Sequence, residues 1–256
     1  MTSWIIKGLS TGIVTTNYPE REETAPGISP GLPTDRPLAP RTKTTDLEQC
    51  PAGALYETKS HLCVDYRRCI HCFRCAQREE KTSVWRDGYE WAFRTRGVAS
   101  EDSPLGRAFH SSLHIRVIDA GACGACMSEI EQLNKPHYNI HRLGFFLTPT
   151  PREADVLLVA GPVTDHMRMP LLKAYEAMPT PKKVMAVGSC ALSGGIFGPS
   201  FASGSGVPEI LPVDMSIPGC PPPPLAIIHG LLVLVGRKAP AERPAENTLS
   251  GGKAHA

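Results

Sequence analysis

The run LHIRVID at residues 113–119 is followed by ADVLLVAG (154–161), KKVMAVG (182–188) and ILPVDMSIPG (210–219). Each is a short apolar segment rich in Val, Ile and Leu, and each runs into a glycine-containing turn. Between them lie stretches of helical texture, CMSEIEQLNK (126–135) and MPLLKAYEAM (169–178). Strands covered on both faces read as continuous apolar runs, and their alternation with helices predicts an α/β fold with a mainly parallel sheet and flanking helices over 113–238.

The flanking regions have a different texture. Residues 1–49 read as an extended arm, because Pro19, Pro26, Pro30, Pro33, Pro37 and Pro40 lack amide donors and bias their predecessors away from helix. Within it Trp4, Ile5, Ile6 and Leu9 fall at helical spacing, so the first dozen residues read either as disordered or as a helix that docks on a partner. Residues 50–81 hold five cysteines and little hydrophobic pattern, as expected where metal replaces a core. Residues 82–112, with Trp85, Tyr89, Trp91 and Phe93, read as a connector, and the small, polar residues 239–256 as a disordered tail.

Composition narrows the function. The 256 residues carry 27 Lys and Arg against 25 Asp and Glu, a formal charge of +2, which argues against a partner held by bulk charge such as nucleic acid. No secretory signal is read at the N-terminus. The apolar stretch LAIIHGLLVLV (225–235) is broken by His229 and Gly230 and falls short of the ~20 residues of a membrane span. The expectation is a soluble protein of a reducing compartment, at most resting against a membrane partner. Nine cysteines is an odd number, and clustered thiols in that compartment mean metal or redox chemistry before disulfides.

Eight of the cysteines form two constellations. The first is Cys50, followed by proline, with Cys69, Cys72 and Cys75 in CIHCFRC. Bacterial ferredoxins use C-x2-C-x2-C-x3-C-P, in which the last Cys serves the other cluster. Here no cysteines precede Cys50 to complete a first motif, and Glu79 stands where the second motif's last thiol would be. The two losses agree, leaving one four-thiolate iron–sulfur site, with a zinc knot as the alternative. Cys63 is off the spacing and reads as a small buried hydrophobe. Arg67, Arg68 and Arg74 around the motif read either as a solvated basic face or as cations that favour the reduced site and an acidic partner.

The second constellation is Cys123 and Cys126 in CGAC, Cys190 in VGSCALSGG and Cys220 in IPGCPPPP. Each segment follows a predicted strand, and ligands of open α/β sheets gather at the carboxyl ends of strands. The four thiols therefore read as one cluster site, with glycines leaving room for a bulky group or simply making turns. A thioredoxin-like pair at Cys123 and Cys126 is the competing reading.

The motifs DAGACGACMSEIEQLN, PREADVLLVAGPVT, LLKAYEAMPTPKKVMAVGSCALSGGIF and PVDMSIPGCPPPP resemble the small electron-transfer subunit of membrane-bound nickel–iron hydrogenases of the formate-hydrogenlyase type, homologous to the cluster-bearing subunit of respiratory complex I. The resemblance covers about residues 110–236, and residues 1–80, with WIIKGLSTGIVTTNYP, separately resemble the ferredoxin-like subunit of such complexes. It implies a flavodoxin-like domain preceded by a small ferredoxin-like segment. It also implies two 4Fe–4S clusters, the proximal one on Cys123, Cys126, Cys190 and Cys220. The implied partners are a catalytic large subunit, membrane-arm subunits and an electron donor or acceptor protein, on the cytoplasmic side of a membrane. Glu129 matches an acidic position of the family motif, and is read either as a proton-transfer group or as a helix N-terminal acid. Gly204-Ser-Gly206 lacks the rest of a dinucleotide fingerprint, so turnover is expected on another subunit. The resemblance leaves open an equivalent subunit of a complex I-like, quinone-reducing assembly. A zinc-stabilised interaction module remains the reading from another class.

Overall fold

The computed structural model describes residues 3–25, 27–37, 47–48, 50–77, 84–95, 105 and 109–241. Glu79 and the expected tail beyond residue 241 lie outside the described residues.

The predicted strand runs form β7 (Leu113–Asp119), β9 (Val156–Ala160), β10 (Lys183–Val187) and β11 (Met215–Ile217), joined by β8 (Phe145–Leu147) and an edge strand, β6 (Phe93–Arg94). The six-stranded sheet has the order β6-β11-β10-β9-β7-β8, with every pair parallel except β6 on β11. Numbered along the chain, the five parallel strands lie in the order 2-1-3-4-5, which is the flavodoxin-like order. Every residue of β9 is buried, which is why this strand reads as a continuous apolar run.

Register matters more than strand content here. Asp119 pairs with Ala160, Ala160 with Val187, and Val187 with Ile217, so four strands end at one level. The turns that follow leave the sheet side by side.

Helices α2 (Ala125–Gln132), α3 (Asp165–Ala177), α4 (Ser189–Ser193) and α5 (Pro224–Leu234) follow β7, β9, β10 and β11. All of α5 is buried, so its apolar sequence serves the core. No helix among the described residues is long and apolar enough to cross a membrane. His229 within α5 accepts the Ala92 N–H on Nδ1 at 3.2 Å and donates from Nε2 to the Ala239 carbonyl at 3.1 Å. It thereby fastens two neighbouring segments to the helix.

The N-terminal segments are woven into this body. The helical spacing near the start forms α1 (Ser3–Thr11), of which no residue is buried. Tyr18 is fully buried, donates to Glu90 Oε1 at 2.8 Å and meets Tyr89 edge-on at 5.1 Å. Strands β1 (Leu32–Thr34) and β5 (Val84–Arg86) form one antiparallel ladder. Strands β2 (Arg36–Pro37), β4 (His61–Val64) and β3 (Leu55–Glu57) form another, three-stranded sheet in that order. Trp91, Ala92 and Phe93 are buried in the main core.

Candidate functional site

Because β7, β10 and β11 end at one level, Cys123, Cys190 and Cys220 emerge together just beyond the sheet. Asp119 shapes the first of these turns: its Oδ1 accepts the N–H groups of Gly121 at 3.0 Å and Ala122 at 2.7 Å. The Ser189 N–H donates to the Gly219 carbonyl at 2.9 Å, tying the Cys190 turn to the Cys220 turn. Two glycines are required by the sulfurs themselves. A Cβ at Gly188 would lie 2.6 Å from Cys126 Sγ, and one at Gly195 2.6 Å from Cys190 Sγ. The Gly188 conformation, φ 89° and ψ 157°, is also one that side-chain-bearing residues avoid.

The four thiols lie within electrostatic reach of one another. Burial, then Cys220, Cys190 and Cys123, push the Cys126 thiol up to about 12. Cys190 is raised by burial, then by Cys220 and Cys123; Cys220 is raised by burial, then by Cys123. Cys126 is buried, while Cys123 and Cys220 are exposed, so the set opens on one side. Glu129 belongs to the same neighbourhood: burial raises its carboxyl, and its charge contributes to the rise at Cys126. It lies past the first turn of α2, beyond the range in which a helix terminus favours an acid.

The other four predicted ligands, Cys50, Cys69, Cys72 and Cys75, all line one cavity of about 250 Å³, shared with Pro33 and Trp85. The CIHCFRC loop reaches this shape by placing two non-glycine residues in the left-handed region, His71 at φ 52° and Phe73 at φ 61°. Such residues cost about 1–2 kcal/mol each, a strain that persists where surrounding structure requires it. The Ala54 N–H donates to Cys50 Sγ at 3.3 Å. Burial pushes Cys69 up to about 12; the backbone N–H of His71 opposes this, and Cys75, Cys50 and Cys72 add to it. Cys63 does not line the cavity: it is buried on β4, with Thr58 Oγ1 and the His61 carbonyl each 3.9 Å from its sulfur. Arg74 lines the cavity, whereas Arg67 pairs with Asp65 at 3.1 Å and the Arg68 guanidinium lies beside Gly53.

The two thiol sets are docked on each other. Ser189 Oγ donates to the Cys69 carbonyl at 2.7 Å, and Ser193 Oγ to the Arg67 carbonyl at 2.9 Å. Trp91 Nε1 donates to the Pro218 carbonyl at 3.0 Å, and the Trp91 ring meets His71 edge-on at 5.6 Å. Asp119, Ser189, Ser193 and Trp91 were missed as site residues by sequence reasoning. Asp119 carried a readable signal, an Asp two residues before a glycine at a strand end; the others act across long sequence separations.

Among the described residues, no group of three or more His, Cys, Asp or Glu side chains is arranged to hold a single metal ion.

Residues 123–234 match the family described as NADH ubiquinone oxidoreductase, 20 Kd subunit, a segment that begins at Cys123 and includes Cys126, Cys190 and Cys220. An uncharacterized protein of Methanocaldococcus jannaschii is 49% identical over 121 residues, 47% of this chain and 81% of that protein. Formate hydrogenlyase subunit 7 of Escherichia coli is 38% identical over 152 residues, 58% of this chain and 60% of that subunit. Among solved structures, the archaeal membrane-bound sulfane sulfur reductase contains a chain 34% identical, with a TM-score of 0.45, covering 50% of this chain and 71% of that one. An NAD+-reducing [NiFe]-hydrogenase contains one 22% identical, with a TM-score of 0.40, covering 50% and 93%. On its sequence likeness, the chain belongs to the NADH ubiquinone oxidoreductase 20 kDa subunit family, which joins hydrogenase and complex I electron-transfer subunits.

Proposed function

We propose that the chain is an electron-transfer subunit with two 4Fe–4S clusters, one on Cys50, Cys69, Cys72 and Cys75 and one on Cys123, Cys126, Cys190 and Cys220. It would relay electrons between a donor or acceptor protein and the catalytic large subunit of a membrane-associated, formate-hydrogenlyase-like nickel–iron hydrogenase. In that assembly it would sit on the cytoplasmic side, beside membrane-arm subunits. The observation that carries this reading is the docking of the two four-thiol sets through Ser189, Ser193 and Trp91. When bound, the clusters supply one-electron transfer. The chain's own part is to hold the thiols, to keep water from Cys69 and Cys126, and to fix the separation of the two sites. Exposed Ile196 and Phe197, adjoining Gly195, together with Phe201, offer an apolar surface beside the second set for the large subunit. The ferredoxin-like character of the N-terminal part is supported by the thiol spacing and the shared cavity.

Anaerobically prepared protein should contain about eight irons with matching sulfide per chain and show reduced cubane resonances in electron paramagnetic resonance. Stoichiometric zinc and no iron would overturn the reading. A second reading, the equivalent subunit of a complex I-like quinone-reducing assembly, is favoured by the description of the matching family. Nickel in the co-purified large subunit would decide for the hydrogenase; its absence, with quinone-dependent activity, would decide for the other.

A further inference from the structure

We propose that Trp85 donates its indole N–H to a sulfur of the site formed by Cys50, Cys69, Cys72 and Cys75, and thereby raises the reduction potential of that site. The inference rests on the two-cluster reading above. Trp85 lines the cavity with all four thiols. Its ring is stacked on Phe73 at 4.1 Å and 20° and met edge-on by His71 at 5.8 Å, while its backbone sits in β5 opposite Pro33. Among the described residues, the buried side-chain nitrogens with no hydrogen-bond partner are Trp85 Nε1 and the two of His71.

Buried donors are almost always paired, so an indole N–H fixed in place beside a sulfur-lined cavity needs an acceptor there. Besides the Gln77 amide, the side-chain acceptors lining the cavity are the four sulfurs. Among the described residues the indole N–H makes no hydrogen bond of ordinary geometry, to Cys75 or to any other acceptor. His71 does not line the cavity, so its ring nitrogens do not compete. An N–H directed at a cluster sulfur stabilises the reduced form, which carries the extra negative charge, and so moves the potential upward. The Ala54 amide at Cys50 belongs to the ligand-bearing loop itself, whereas Trp85 comes from a separate strand. The ring therefore couples the potential to how β5 packs.

The test compares wild type with Trp85→Phe in the full chain, both loaded anaerobically, with iron content measured first. The first-site signal is identified as the one lost in Cys69→Ser. In Trp85→Phe its midpoint should shift downward in a redox titration followed by paramagnetic resonance, with the second-site midpoint unchanged as internal control. In wild type the Fe–S stretching bands of that site should move on exchange into D2O, and in the variant this response should be lost. Iron present in both proteins with identical midpoints and identical D2O responses would overturn the inference alone. No iron in wild type would overturn the two-cluster reading itself. If the variant fails to load, wild type carrying 15N-indole tryptophan decides: a nitrogen coupling to the reduced first site is expected, and its absence overturns the inference.

Discussion

A single Cβ separates a working thiol pocket from a blocked one. At Gly188 an added methyl would meet Cys126 Sγ at 2.6 Å in a backbone conformation other residues avoid. Gly188→Ala is therefore expected to cost roughly 1–3 kcal/mol and to lower iron from about eight to about four per chain, measured by chemical unfolding and iron analysis. His229 makes a second such point. His229→Leu would leave the Ala92 N–H and the Ala239 carbonyl unpaired, an expected loss of about 2 kcal/mol or more, read from the urea midpoint. Burial lowers the His229 pKa below the ordinary histidine value, with Glu90 opposing and Lys238 assisting. The unfolded chain then binds a proton near the ordinary value while the folded chain does not. This contribution to stability is full above that ordinary value and is lost as pH falls through and below it. His229→Gln, which keeps an acceptor and a donor but no titrating ring, should flatten the fall in melting temperature between pH 7 and pH 5.

Helices and strands set how the two thiol sets meet. The short α4 presents Cys190 to one set and uses Ser189 and Ser193 to hold the backbone at Cys69 and Arg67. Replacing both serines with alanine removes two hydrogen bonds, each contributing about 1 kcal/mol net. Faster amide exchange is expected across 67–72, with little change in β9. How much of this was legible in advance differs by element. Strands β9, β10 and β11 could be read because they are buried almost throughout and so are apolar, and β7 because its Val, Ile and Leu residues fall in one short run before a glycine turn. Strands β1, β2, β5 and β6 could not be read, since they are two or three residues long and take their partners from remote segments. Trp85 and Trp91 consequently read as part of a connector, although one lines the first cavity and the other ties His71 to the Pro218 turn.

Over the whole molecule the two thiol sets carry different structural weight. Cys123, Cys126, Cys190 and Cys220 come from three separate turns of the main sheet, whereas three of the other four lie within one short loop. Metal that joins distant segments contributes more to folding than metal that closes a local loop. Cys220→Ser should therefore lower the melting temperature more than Cys69→Ser, although each should remove about half of the iron; calorimetry with iron analysis checks both. Chain order and residue type were enough for the α/β architecture and for proposing both thiol sets, because apolar periodicity and cysteine spacing are local signals. The convergence of the second set needed the strand register, which places the ends of β7, β10 and β11 level. Folding alone revealed the docking of the two sets, the fastening role of His229 and the indole at the first cavity. These are contacts between segments far apart in the chain, selected by packing, and no local pattern encodes them.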